Sequence, residues 1–463
     1  MDETSTGFDV ALPAAVRSLL ERLWSNGHAA YVVGGSLRDR LLGRPAADWD
    51  LATDARPDRI LAIFPGSVYE NRFGTVAVRE ADQVHEITTF RIDHDYADFR
   101  RPHHVEFGDR IEDDLARRDF TVNAMAWGAD APARSARTGH PGEARLVDPF
   151  GGRRDAAARR LRAVGDPGQR FEEDALRMVR AVRLAATLDF EIEPATRAAI
   201  ETHADLVRHL SGERIAAELE KLLIADRPSV GLRLMADSGI LAVISPELAA
   251  QRGIAQNKIE GEDLWGHTVR SVDAAPVDRP IVRLAALLPD VGKPATIDDG
   301  PFRGHEVVGA ELATRLLDRL RLPKAVTERV VHLVRQHMFT YDPDWGDAGV
   351  RRFIRRVGRD ALDDLFELRA ADSVGSGLGP DAGALADLRA RVREQLVASA
   401  VLDRGGLAVD GSDLMTELGV PPGPTLGRVL DRLLERVIAD PALNDRPTLL
   451  LLAESMLPDA SDR

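Results

Sequence analysis

The sequence contains no cysteine, which excludes disulfides, thiolate-ligated zinc and Cys-held iron–sulfur clusters. Lysine is scarce too. Lys221, Lys258, Lys293 and Lys324 are the only four, so nearly all of the 61 cationic side chains are arginine. Arginine grips phosphate bidentately, although a coding bias toward arginine would leave the same composition. Long apolar runs are missing: no window of about 18 residues is apolar and uncharged, so no membrane span is expected. The N-terminal stretch MDETSTGFDV has neither the basic start nor the apolar core of a secretory signal. These absences make a cytoplasmic protein the expectation. A net charge of −14 argues against a uniformly basic nucleic-acid surface but leaves room for a local one. The 463 residues, 44% apolar and 29% charged, fit a soluble globular chain of several domains.

What is present centres on Tyr31–Thr53, YVVGGSLRDRLLGRPAADWDLAT. The apolar run Tyr31-Val32-Val33 ends at Gly34-Gly35. A short helix carrying Ser36, Arg38 and Asp39 follows, and then Asp48-Trp49-Asp50. The order reads as strand, glycine turn, helix, loop and second strand. Carboxylates two apart on a strand point to one side. Such a pair facing a glycine turn suits a divalent ion beside a polyphosphate. Glu86, in a β-branched run from Val84 to Thr88, is the best-placed third carboxylate, and Arg38 can grip a triphosphate.

The surrounding chain supports an α/β or α+β unit up to Gly152. Helices are expected at 14–24 and 56–64, and strands at 75–78 and 84–88. Arg91–Pro102 (RIDHDYADFRRP) reads as a mobile loop, Ile111–Trp127 as short helices, and Gly128–Glu143 as a surface insertion. After Asp155 the pattern is helical almost to the end, without a fixed repeat. In the expected helix Phe171–Leu188, Asp174, Arg177, Arg180 and Arg183 recur every three residues as one polar stripe. A solvated, salt-bridged face is the plain reading of that stripe. Aimed at a cleft, it would offer donors and acceptors to a base edge.

These residues resemble a family. GGSLRDRLLGRPAADWDLAT is similar to the GG-x-x-R-D…D-x-D signature of the tRNA nucleotidyltransferase/poly(A) polymerase family, whose members have a polymerase-β-like head. Arg117-Arg118-Asp119-Phe120-Thr121-Val122-Asn123-Ala124 resembles its R-R-D-x-x-x-N-A motif, implying sugar and phosphate contacts for Arg118, Asp119 and Asn123. Glu173-Asp174-Ala175-Leu176-Arg177 resembles the E-D-x-x-R motif that reads the incoming base, and Ser211–Ile215 a later neck motif. RIDHDYADFRRP is similar to the loop that helps CCA-adding members switch from C to A. Tyr69–Gly74 lacks the basic segment frequent in poly(A) polymerases.

A second resemblance is damaged. Leu287–Pro294 looks like the L-L-H-D-h-G-K-P core of an HD metal-dependent phosphohydrolase, with Pro289 where the histidine ligand belongs. His267, Asp290, His305, His332, His337 and Asp372 could surround that position. Asp290 and His267 could hold a metal weakly with His305 or His332, but a retained scaffold without hydrolase activity is the expectation. The densest basic run, Arg351–Arg359, could meet an RNA backbone or be an ordinary solvated face.

The resemblance implies an α+β protein: a nucleotidyltransferase head (1–152), a helical neck with the base-reading helix (153–226), a helical HD-like body (227–400) and a helical tRNA-binding tail (401–463). It implies addition of C, C and A to tRNA from CTP and ATP with Mg2+. Asp48, Asp50 and Glu86 would be catalytic, with metal on Asp48 and Asp50. Gly34, Gly35, Ser36, Arg38, Arg118, Asp119, Asn123, Asp174, Arg177, Arg180 and Arg183 would bind nucleotide. A poly(A) polymerase, a CC- or A-adding specialist, an HD phosphohydrolase and a noncatalytic RNA-binding protein are the alternatives. The oligomeric state is not encoded in any of these features.

Overall fold

This computed structural model describes residues 11–46, 48–69, 74–97, 101–131, 143–256, 258–299, 302–398 and 402–457. They form two compact units, Met1–Ala249 and Ala250–Arg463.

The first unit opens with α1 (Ala14–Ser25), β1 (Ala30–Val33), α2 (Gly35–Leu41), β2 (Asp50–Thr53), α3 (Pro57–Ile63), β3 (Val68–Tyr69), β4 (Thr75–Glu80) and β5 (Gln83–Thr89). It continues with β6 (Arg91–Ala97), β7 (Arg101–Phe107), α4 (Ile111–Ala116), β8 (Ala126–Ala129), β9 (Arg145–Val147), α5 (Gly152–Ala157) and β10 (Arg160–Leu161). A helical end follows: α6 (Pro167–Glu173), α7 (Leu176–Leu188), β11 (Glu191–Ile192), α8 (Pro194–His203), α9 (Gly212–Leu223), α10 (Pro228–Asp237), α11 (Ile240–Ile244) and α12 (Pro246–Ala249).

Seven strands pair in the order β3-β4-β5-β2-β1-β8-β9. Within this sheet, among the described residues, only β2 and β5 run parallel. β1 lies inside the sheet and is covered on both faces, which is why its sequence is apolar without alternation. Ala30 and Val32 enter a core with Leu19, Leu51 and Ile87. Tyr31 and Val33 enter the opposite core with Phe90, Leu115 and Ala126. Full burial of each large side chain is worth about 1.5–3 kcal/mol, so β1 fixes where the Gly34 turn can stand. Register does the rest. Leu51 pairs with Ile87 on the parallel strand. Asp50 and Glu86, one step earlier on each, therefore share a face.

Several expected elements differ. Arg91–Pro102 is largely strand: β6 and β7 pair antiparallel from Arg91↔Phe107 to Ala97↔Arg101. This ribbon is a separate two-stranded sheet. Its charged sequence carries no apolar alternation, the signal by which strands are expected. Residues 98–100 lie outside the described residues, as do 70–73 of the stretch compared with poly(A) polymerases. Ala126-Trp127, expected in a helix, belong to β8 beside β1. Gly128, expected to start a surface insertion, is buried in that strand, and a Cβ there would lie 2.1 Å from Ala30 O. Residues 132–142 of that insertion are outside the described residues. The expected helix 171–188 is broken: Asp174 is extended between α6 and α7, and its carboxylate accepts from Leu176 N at 3.1 Å to start the second helix.

The second unit is helical among its described residues: α13 (Leu264–Ala274), α14 (Pro280–Leu287), α15 (His305–Arg319), α16 (Lys324–Gln336), α17 (Asp347–Val357), α18 (Leu362–Gly375), α19 (Leu385–Ala398), α20 (Gly411–Leu418), α21 (Pro424–Ala439) and α22 (Arg446–Ser455). α14 stops before Leu288-Pro289, where the proline has no N–H to continue the helical ladder. Two arginines of the basic run, Arg351 and Arg355, are engaged in packing, while Arg352, Arg356 and Arg359 are exposed. Arg351 is buried and donates to Ile438 O at 2.6 Å, Ala439 O at 3.2 Å and Gln395 Oε1 at 2.6 Å, closing the C-terminus of α21. Arg355 pairs with Glu435. No helix is long and apolar enough to cross a membrane among the described residues.

Candidate active site

The site begins at the end of β1. Gly34 has φ +78°, and a Cβ on it would lie 3.1 Å from Arg118 Nη1 and 3.6 Å from Asp50 Oδ2. The turn thus needs glycine for its backbone and for the close approach of a cation and an anion. Ser36 Oγ donates to the Asp48 carbonyl and ties α2 to the acidic loop. Arg38 turns inward. Its Nη1 donates to Asn123 Oδ1 at 2.5 Å, and Nε and Nη2 grip the Asp39 carboxylate at 2.9 Å.

A cleft of about 410 Å³ opens beside this turn, walled by Asp50, Glu86, Arg118, Asp119, Asp174 and Arg177 among others. Asp50 and Glu86 also wall an adjoining cavity of about 520 Å³ with Asp48 and His85. β2 starts at Asp50, so Asp48 reaches this cavity from the preceding loop rather than by strand alternation. Burial raises the Asp50 carboxyl; Arg118 opposes that rise and Asp48 adds to it. Hard oxygen donors, one of them destabilised by burial, fit a magnesium-type ion. The three carboxylates do not bring ligand atoms within 4.8 Å of one another; among the described residues such groups lie in the second unit.

The opposite wall is a lattice of arginines held by carboxylates. Asp114 accepts from Arg117 at 2.6 Å and Arg118 at 3.1 Å. Burial opposes its charge, but the two guanidinium groups hold it at about 2. Asp119 accepts from Arg180 Nε at 2.8 Å, Asn123 Nδ2 at 3.2 Å and Phe120 N at 2.8 Å. Burial again disfavours the charge, and Arg180 with these hydrogen bonds still holds it at about 2. Arg177 is buried. It donates to Arg170 O at 2.9 Å, to Arg117 O at 3.0 Å and to Glu173. Asp174 accepts from Arg214 at 2.7 Å.

The cleft therefore collects Gly34, Gly35, Asp50, Glu86, Arg118, Asp119, Asn123, Asp174, Arg177 and Arg180. Asp48 stands in the adjoining cavity. Ser36 and Arg38 stand behind the turn and position it. Arg183 does not line the cleft; its Nε lies 2.6 Å from Glu218 Oε2 on α9. Arg91, Arg117 and Arg214 line it and were not singled out from sequence. Arg117 and Arg214 sit inside the motif stretches already quoted, which was the available signal.

Comparison with known proteins follows this geometry. Residues 30–162 match the poly A polymerase head domain, 189–252 the "probable RNA and SrmB-binding site of polymerase A", and 250–375 the HD domain. The CCA-adding enzyme of Geobacillus stearothermophilus is 32% identical over 92% of this chain and 93% of its own. That of Lacticaseibacillus paracasei is 32% identical over 99% of both. The chain belongs to the CCA-adding enzyme family. The solved structure of the Bacillus stearothermophilus family member in complex with CTP superposes with TM-score 0.71 at 29% identity, over 96% of this chain and 97% of that one.

The HD match contains the second cluster. His267 Nε2 lies 3.2 Å from Asp290 Oδ2 and 3.1 Å from Asp372 Oδ1. Lys293 Nζ lies 2.8 Å from the same Asp290 oxygen. His332, one of the expected partners, is elsewhere; its Nε2 lies 2.7 Å from Val357 O. The ligand set that the HD resemblance implies does not fit at this position. Pro289 offers no donor, and carboxylates on both sides of His267 Nε2 require a proton on that nitrogen.

Proposed function

We propose that the chain adds C, C and A to the 3′ end of tRNA from CTP and ATP, releasing pyrophosphate. The observation that carries this is one cleft joining Asp50 and Glu86 to the Asp174–Arg177 junction. The tRNA 3′-hydroxyl attacks the α-phosphate in line. Asp48, Asp50 and Glu86 would hold Mg2+, which when bound supplies charge neutralisation for the attacking and leaving oxygens. Gly34 and Gly35 let the triphosphate come close, with Arg118 beside it. Arg38 and Asn123 keep that wall in place, and Asp119 orients Arg180. Positioning and electrostatics supply most of the acceleration.

Selectivity follows from base edges. Cytosine and adenine each present an amino donor beside a ring-nitrogen acceptor. A carboxylate beside a guanidinium matches both. Uracil and guanine present a carbonyl beside a ring N–H and match neither group in that order. Asp174 and Arg177 are assigned this reading, so protein replaces a template. Arg183 is assigned a supporting place, holding α9 through Glu218. The four-part division at 152, 226 and 400 is kept as an assignment, as are the cytoplasmic location and tRNA binding by the tail.

Purified protein given tRNA lacking CCA, with CTP, ATP or both, tests the reading by sequencing the ends. Both nucleotides together should yield CCA and CTP alone CC. A poly(A) tail or no extension overturns it.

A further inference from the structure

The helix that carries Arg177 is also gripped at its far end, and the grip comes from the acidic segment. Arg44 stands between α2 and Asp48 in the chain. Its Nη1 donates to Thr187 O at 3.2 Å and its Nη2 to Leu188 O at 3.0 Å. Those are the last two residues of α7. The final carbonyls of a helix have no donor within it, and a cation there meets the negative end of the helix dipole. A planar guanidinium can serve two such carbonyls at once, whereas an ammonium lacks that fork.

Arg44 is itself fixed through its backbone. Its N–H donates to Asp39 O at 2.8 Å, and Gly43 before it takes φ +70° in the turn after α2. Further on, the Asp48 carbonyl is tied back to Ser36 Oγ. The acidic segment is thus pinned to the glycine turn on one side and to the end of α7 on the other. Closer to its start, α7 meets the nucleotide wall: Arg177 donates to Arg117 O at 3.0 Å and Arg180 Nε to Asp119 at 2.8 Å. The 13 residues of α7 make a rod about 20 Å long. A hold at Leu188 resists tilting strongly, because the lever arm from the Arg180 contact is long there.

We propose that Arg44 is a positioning residue for nucleotidyl transfer. It joins the loop that presents Asp48 to the helix that presents Arg177, so the metal carboxylates and the base-reading pair keep one spacing. Arg44 does not line the cleft; it acts through α7. This role rests on the CCA addition proposed for that cleft.

The test is single-turnover extension of tRNA lacking CCA by the full chain, with equal CTP and ATP and the ends sequenced. Arg44→Met keeps the stem and removes both donors. It should lower the maximal rate by about tenfold, with triphosphate affinity within about threefold, and shift the first added position from C toward A. Arg44→Lys should fall between parent and Arg44→Met. In an Arg177→Ala background Arg44→Met should still lower the rate but no longer move the ratio, because both changes act through one contact. Melting checks that each variant folds, and Arg44→Lys carries the test where Arg44→Met does not. A parent chain that fails to add CCA overturns the proposed activity and this role with it. A parent that adds CCA, beside an Arg44→Met that matches it in rate and ratio, overturns the role of Arg44 alone. So does a lowered rate with an unchanged ratio, which marks a merely structural tie, and so does a ratio shift that persists at full size beside Arg177→Ala.

Discussion

The cleft of the first unit and the histidine cluster of the second unit both bury carboxylates beside cations, but they are built in opposite ways. In the first unit the signature residues sit together in sequence blocks and converge: Gly34, Asp50, Arg118, Asp119, Asp174 and Arg177 all face one cleft. Its carboxylates mostly hold arginines. In the second unit the sequence block is broken at Pro289, and the side chains that come together there, His305 and His337, belong to α15 and the end of α16. A motif thus locates chemistry reliably where its residues act as one local unit. Where polar side chains come together from separate helices, the partner behind each ring nitrogen tells more than a motif.

The largest expected effect separates the two regions. Asp50→Asn should lower nucleotidyl transfer by on the order of 10³-fold, measured by single-turnover extension, while tRNA binding stays within a few-fold. Retained transfer would break the assignment of the head. Next, Arg351→Met strips donors from Ile438 O, Ala439 O and Gln395, which should cost the second unit about 2–4 kcal/mol in denaturant unfolding. Unchanged stability would contradict the packing role given to Arg351.

Acid sharpens the head further. Asp114 has a folded value of about 2, below its ordinary 3.8. A depressed carboxylate stabilises fully above its unfolded value, and that stability is lost as pH falls from about 4 to about 2. The contribution at neutral pH is about 2 kcal/mol. Asp114→Asn should lower stability at pH 7 and flatten the acid limb over that window, read by equilibrium unfolding against pH.

Much of this was legible in the sequence. The buried β1, the glycine turn and the helical remainder followed from apolar runs and turn residues, whereas the acidic pair, expected on one strand, has Asp48 in the loop before β2. Three other features did not follow. The β6–β7 ribbon carries a charged sequence without apolar alternation, so no pattern marked it. The break at Asp174 depends on a side chain capping the next helix, which a three-residue spacing cannot distinguish from one continuous stripe. Arg38 and Arg183 have the right charge for phosphate, but Asn123 and Asp39 engage the first and Glu218 lies against the second. Composition records charge; only packing shows which charges are already engaged.

The central claim is that the Asp174–Arg177 junction, rather than a template, chooses the nucleotide. The most direct measurement is the C-to-A ratio at the first added position. It is read by end sequencing with tRNA lacking CCA and equal CTP and ATP, for the parent chain and for Arg177→Ala. The parent should add almost only C. The variant should shift that ratio toward A by about tenfold, with triphosphate affinity changed less. An unchanged ratio in an active variant would contradict the account.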